Sequence, residues 1–171
     1  MTALSGVDVV WRFRLAEDEG NEKAWGLAYS TENGYSKSKE SEATVTKDGS
    51  VVTPGATETT VTATTLYKIG STQIDKLETA MDENKRVQIW RINTKEIGTG
   101  ANEGKYKAKY FEGYFTSFEE TDSAENKVEY SLEWAIEGTG KNGFASLVVD
   151  TTEGGDYEFK DTVKVEGQAQ A

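Results

Sequence analysis

The chain has 171 residues, a formal net charge of -11, 36% hydrophobic and 29% charged residues; that is one domain's worth of chain, able to bury roughly 70% of the surface it exposes unfolded. The absence of Cys excludes disulfides, thiolate metal sites and a cysteine nucleophile, and the absence of His removes the usual neutral-pH base, the commonest zinc ligand and every Ser-His-Asp arrangement. The acidic balance disfavours tight binding of nucleic acid, which draws on Lys and Arg displacing counterions, and Met1 to Val10 reads as no secretory leader, with no run long enough to cross a bilayer, so a cytosolic product is expected.

Hydrophobic alternation dominates the pattern. Val7 to Leu15 places Val9, Trp11, Phe13 and Leu15 on one face of a half-buried strand, and a second short strand is expected at Lys23 to Tyr29. Ser30 to Lys39 then reads as polar and turn-rich around Asn33-Gly34. From Glu40 to Thr65 the chain is a long β excursion poor in core residues, with the single proline at Pro54. Asp48-Gly49 between Ala43 to Thr46 and Ser50 to Thr53 predicts a two-residue hairpin turn with positive φ at both central positions.

Glu58 to Lys68 alternates Thr60, Thr62, Thr64 and Leu66 with Val61, Ala63, Thr65 and Tyr67. One helix follows, with Ser71 or Thr72 as N-cap, Asp75 completing a capping box, Ile74, Leu77 and Met81 on one face, and Asn84 ending it near Glu83. Arg86 to Thr94 is apolar on both faces and predicts an interior strand. Lys105 to Phe118 is aromatic on both faces, with Tyr106, Tyr110, Tyr114 and Phe118 on one and Phe111 and Phe115 on the other, and Lys127 to Glu137 sets Val128, Tyr130, Leu132, Trp134 and Ile136 against a wet, acidic face of Lys127, Glu129, Ser131, Glu133, Ala135 and Glu137. A Lys141-Asn142-Gly143 turn leads to a last strand, Phe144 to Val149. Beyond Gly154-Gly155, residues 156–171 alternate Tyr157 with Phe159 and Val163 with Val165, an arm able to fold back or reach a partner.

Motifs for chemistry are weak. Gly138-Thr139-Gly140-Lys141-Asn142-Gly143 matches a dinucleotide fingerprint by letter, but a strand follows where a helix must open, so it reads as a loop. Glu119-Glu120 and Glu129 with Glu133 are candidate carboxylate pairs, read here as solvated acidic surface rather than a hydrolytic dyad. No cofactor or metal is implied, and a monomeric carbohydrate- or cell-wall-binding β-sandwich remains the alternative to the reading below.

The helix from Thr72 to Glu83, the strand Asn84 to Thr94, Lys105 to Ala108, Ile136-Glu137-Gly138 with Lys141-Asn142-Gly143, and Gly154-Gly155-Asp156-Tyr157-Glu158-Phe159 together resemble the major tail tube proteins of long-tailed, non-contractile bacteriophages, especially those of Gram-positive hosts. The resemblance implies a mainly β fold, a two-sheet β-sandwich or partial barrel with one flanking helix. It implies a tail-tube domain over residues 1–155 and a C-terminal arm over 156–171. It further implies a non-enzymatic virion protein, assembled in the host cytoplasm into hexameric rings that stack around a tape-measure protein and later conduct the genome. Terminator and distal tail proteins would meet the tube ends, with no membrane partner. The excursion, with Thr46, Asp48, Gly49, Val51, Val52 and Pro54, would reach the adjacent ring, and Tyr157, Phe159, Val163 and Val165 would pack on a neighbour.

A conduit for DNA must not bind it. One Lys per subunit in the bore would give about six phosphate contacts per ring, each adding roughly 0.9 to the salt slope, whereas Glu129 and Glu133 would repel phosphates. The face of Glu129, Ser131 and Glu133 is therefore expected to line the lumen. Lys105, Lys107, Lys109 and Lys127 must then lie at rims, in ion pairs or outside.

Overall fold

The protein is described by a computed structural model covering residues 2–147 and Thr162. Among the described residues seven strands, β1 (Val9–Leu15), β2 (Ser30–Thr46), β3 (Gly49–Leu66), β4 (Val87–Ile97), β5 (Tyr106–Thr121), β6 (Glu129–Ile136) and β7 (Lys141–Ala145), form one antiparallel sheet flanked by a single ten-residue α-helix, α1 (Gln73–Asp82). The order along the sheet is β1-β4-β5-β6-β3-β2, with β7 also on β5.

β5 joins the two halves. Its first part, Tyr106 to Gly113, pairs with β4, and its second, Gly113 to Thr121, pairs with β6. β7 takes Tyr106 to Tyr110 on the side that β6 occupies further along, so β6 and β7 lie end to end along one edge. Where the halves meet the backbones crowd: a Cβ on Gly113 would stand 2.1 Å from the Ala135 carbonyl oxygen, so only glycine fits.

Bending brings the inner faces of the halves together over one core, and the sheet does not close. Trp134 is fully buried, with Phe115 4.7 Å and Phe13 5.2 Å away between ring centroids. Trp11 stacks on Phe111 and reaches Tyr35 of β2, which closes the core beneath the open side. Ile74, Leu77 and Ala80 seal the remaining end, with α1 packed against β5. Aromatic burial of this kind stabilises by area and by ring geometry together.

The expected strand faces at Val9 to Leu15, Val61 to Thr65, Val87 to Ile92 and Tyr130 to Ile136 agree with the burial. Other expectations do not hold. Lys23 to Tyr29 makes a single bridge, Trp25 to Phe13, rather than a strand. Asn33 and Gly34 lie mid-strand in β2, because β2 is an edge strand with little core to cover and its polar pattern mimics a turn. The hairpin turn is Lys47-Asp48, since Thr46 pairs with Gly49, and positive φ falls on Gly49 alone (131°). Thr72 makes no side-chain cap bond, and Ser71 Oγ donates to Gln73 Oε1 at 2.8 Å instead. Met81 is only half-buried and Ala80 takes its place in the core. Lys141-Asn142-Gly143 belongs to β7, and the turn is residues 137–140, where Gly138 and Gly140 take φ of 69° and 77°. In β5, a bulge between Phe115 and Ser117 shifts the phase, so Phe118 joins Phe115 on the core side rather than opposing it.

Candidate functional site

The pairing registers lay out the outer face of β2, β3, β6 and the second part of β5 row by row. Glu32, Thr64, Ser131 and Glu119 form one row; Gly34, Thr62, Glu133 and Ser117 the next; Ser36, Thr60, Ala135 and Tyr114 a third. Leu66, Glu129 and Thr121 close one end, and Ser38 with Glu58 begins the other. Paired residues in an antiparallel sheet share a face, so Glu129, Ser131 and Glu133 stand together as expected. They are part of a wider surface of Thr, Ser and Glu that carries no Lys or Arg in any of these rows.

The cations lie elsewhere. Lys107 pairs with Glu96 at 3.1 Å and Lys109 donates to Asn142 Oδ1 at 2.8 Å, both on the half of β5 that β4 covers. Lys105 and Lys127 are in loops. Arg86 sits at the corner of the face over the Tyr114 ring, held by Glu137 at 3.1 Å. The opposite side of β2 carries Tyr35, Lys37 and Lys39, with Arg91 and Lys109 each 6.0 Å from the Tyr35 ring. Charge is thus sorted by face. The sequence missed the contributions of Glu32, Glu58, Thr60, Thr62, Thr64, Ser117 and Glu119, because their rows exist only once the strands are paired. The Thr stripe of β3 was the available signal.

Two strand edges flank this face. Among the described residues β2 pairs only with β3, and β4 leaves β5 at Gly113, so Tyr114 to Thr121 has no described strand on that side. Between β2 and β1 lies a cleft of about 1160 Å³ lined in part by Val9, Trp11, Leu27, Asn33 and Tyr35. Asn33 Oδ1 is buried there without a hydrogen bond from the described residues.

Beyond the sheet, β2 and β3 continue as a two-stranded ribbon. Ala43 opposite Val52, Val45 opposite Ser50 and Ser41 opposite Pro54 form one face, while Thr46 and Val51 lie on the other. Val45 is 85% exposed and Val52 60%. The expected contact residues Thr46, Asp48, Gly49, Val51, Val52 and Pro54 are therefore split between two faces and a tip. The arm residues Tyr157, Phe159, Val163 and Val165 lie outside the described residues.

Chemistry finds little purchase on this surface. Glu119 and Glu120 point to opposite sides, and Glu120 accepts from Tyr130 Oη at 2.5 Å. Glu129 and Glu133 are four residues apart on one strand, about 13 Å, too far for a glycosidic pair. The glycine-rich run is the bend between β6 and β7, with a strand after it and no helix N-terminus. Gly140 is required there because a Cβ would meet the Phe111 ring at 2.6 Å. Among the described residues no acidic group gathers into a metal-binding cluster, and no helix is long and apolar enough to cross a membrane.

The titratable groups that shift are ones that hold the fold. Burial first, then the bond to Glu120 and its charge, push the Tyr130 hydroxyl up; burial and Glu112 do the same to Tyr110. The bond from Lys76, at 2.8 Å, holds the Glu22 carboxyl below the usual range and ties α1 to the segment beside Trp25.

Known proteins resemble this chain in sequence and in fold. The family model described as phage tail tube protein matches residues 3–141. A putative tail protein of Staphylococcus phage phiMR25 is 30% identical over 93% of this chain and 83% of its own length. The tail tube protein gp17.1* of Bacillus phage SPP1 is 28% identical over 98% of this chain, which spans 63% of that longer protein. A solved structure of the SPP1 tail tube shares the fold, with a TM-score of 0.74 at 21% identity, covering 92% of this chain and 91% of that one. The chain belongs to the phage tail tube protein family, and is a structural component of the virion that assembles with copies of itself into the tube of the tail.

Proposed function

We propose that the face of β2, β3, β6 and the second part of β5, whose paired rows carry no Lys or Arg, lines the bore of the tube. The observation that carries this reading is the sorting of charge by face: five carboxylates, Glu32, Glu58, Glu119, Glu129 and Glu133, with no Lys or Arg in the same rows. Such a wall repels phosphates and gives transiting DNA nothing to exchange its counterions for. Short Thr and Ser side chains between the carboxylates keep it smooth and wet.

The free edges of β2 and β5 suit ring closure. Along β5, β6, β3 and β2 the strand direction alternates, so β2 of one copy can continue the sheet from β5 of the next in antiparallel fashion, with like faces aligned. Ring closure would also remove the two edges that a free subunit exposes. The ribbon of residues 38–58, with Ala43, Val45, Val52 and Pro54 on one uncovered face, then reaches a copy in the adjacent ring. A tape-measure protein would occupy the acidic bore before DNA does, and terminator and distal proteins would cap rings whose ribbons or ribbon-binding surfaces have no ring beyond them. The arm over residues 156–171 would pack on a neighbour.

The absence of native Cys makes a direct test available. Ser131→Cys and Thr62→Cys are placed on the bore face and Lys107→Cys outside it. In assembled tubes a bulky maleimide should label Lys107→Cys fully and leave Ser131→Cys and Thr62→Cys protected except at tube ends. In dissociated subunits all three should react. Full labelling of Ser131→Cys along intact tubes would refute the assignment.

A further inference from the structure

Resting on that ring reading, we propose that neighbouring subunits are matched by charge behind the joined strands: the exposed acidic face of α1 in one copy meets the lysines on the back of β2 in the next. Asp75, Glu78 and Asp82 recur at i, i+3 and i+7, forming one exposed stripe on α1. Their carboxylates make no ion pair among the described residues, whereas Lys76 on a different flank is held by Glu22. Lys37 and Lys39 are likewise exposed and make no ion pair among the described residues.

Placement follows from connectivity and register. The chain leaves β3 at Leu66, level with Thr121 of β5 through Glu129, and re-enters the sheet at Val87 beside Gly113. α1 covers that return on the core side, packed against β5, and so runs behind the strand whose edge, among the described residues, is unpaired from Tyr114 to Thr121. At the other end of the same half-sheet, Lys37 pairs with Thr59, which is buried in the core, so Lys37 and Lys39 also project from the back of β2. Arg91 and Lys109 beside Tyr35 deepen the positive potential there. When the β5 edge of one copy meets the β2 edge of the next with front faces aligned, the backs align too, and the stripe comes beside the lysines. The contact is head-to-tail, so every copy uses both surfaces, and the wrong pairings, α1 to α1 or β2 to β2, are repulsive.

The test uses two full-length variants, Asp75→Lys with Glu78→Lys and Asp82→Lys, and Lys37→Glu with Lys39→Glu. All five positions are exposed, and wild-type circular dichroism and unfolding midpoints are expected of both. Sedimentation at low salt should show each variant alone needing at least about tenfold more protein to assemble, since like charges across an interface are strongly disfavoured. An equimolar mixture should return to the wild-type threshold by alternating in even-membered rings, where every contact again joins opposite charges. The neutral variant Asp75→Asn with Glu78→Gln and Asp82→Asn should assemble with a smaller rise and with reduced sensitivity to salt. Assembly of either reversed variant at the wild-type threshold, or a mixture no better than its components, overturns the charge match and leaves the ring reading intact. Failure of the wild-type chain to form rings at any concentration removes the ring reading itself.

Discussion

Reversing the charge of the proposed bore wall should turn an inert conduit into one that holds DNA. The wall of one subunit carries Glu32, Glu58, Glu119, Glu129 and Glu133 and no cation in the same rows. Replacing Glu119, Glu129 and Glu133 by Lys changes its formal charge from -5 to +1 (-5 + 6) and that of the chain from -11 to -5 (-11 + 6). If one introduced lysine per subunit reaches a phosphate, a ring of roughly six copies makes about six contacts, and the slope of log K against log salt is about -5. Retention of a duplex should then fall by about a thousandfold between 50 and 200 mM salt. The cost to ring stability should be small, since charges across a wide wet channel lie beyond a Debye length of about 8 Å. The assay is co-sedimentation of a fluorescent duplex with tubes assembled around it, as a function of salt. The matching triple Gln variant, at -2 per wall (-5 + 3), should release DNA as the wild type does. Lysine tubes that retain no more DNA than wild-type tubes, with a Ser131→Cys version of them still protected from label, would refute the electrostatic argument.

Three further outcomes follow from the packing. Trp134→Ala should destabilise the monomer by about 3–5 kcal/mol, seen as a lower denaturant midpoint. Trp134→Phe should cost less, because it keeps a ring between Phe13 and Phe115 and removes an indole N–H that is buried without a partner among the described residues. Because burial and Glu120 raise the Tyr130 hydroxyl above its usual value of about 10, the folded state keeps a proton that the unfolded chain loses. Stability is therefore complete below about pH 10 and falls as pH rises toward the folded value. Tyr130→Phe should flatten that alkaline decline, leaving the part due to Tyr110, and an unchanged pH profile would contradict the assignment. Val45→Ser with Val52→Ser should leave the unfolding midpoint within about 0.5 kcal/mol of wild type while shortening or abolishing tubes in negative-stain images, since both side chains are exposed among the described residues.

The sequence alone determined the elements whose signal is local. Alternation in Val9 to Leu15 and Tyr130 to Ile136 fixes which side faces the core, because strand periodicity is two and a slip of one residue would invert it. The spacing of Ile74 and Leu77 specifies α1 in the same way, and the lack of Cys and His removes chemistry whatever the fold. Tertiary structure decided the rest. β2 is legible only beside β3, since Asn33-Gly34 is a turn signal until a neighbouring strand supplies its hydrogen bonds. The β5 bulge that turns Phe118 inward reverses a pattern read straight from the letters. The proposed bore wall draws on β2, β3, β5 and β6, elements separated by up to about 100 residues, and a face built across strands is a property of register. Sorting of charge between the two sides of one sheet likewise needs the pairing to be known, because each strand by itself carries only a fragment of it.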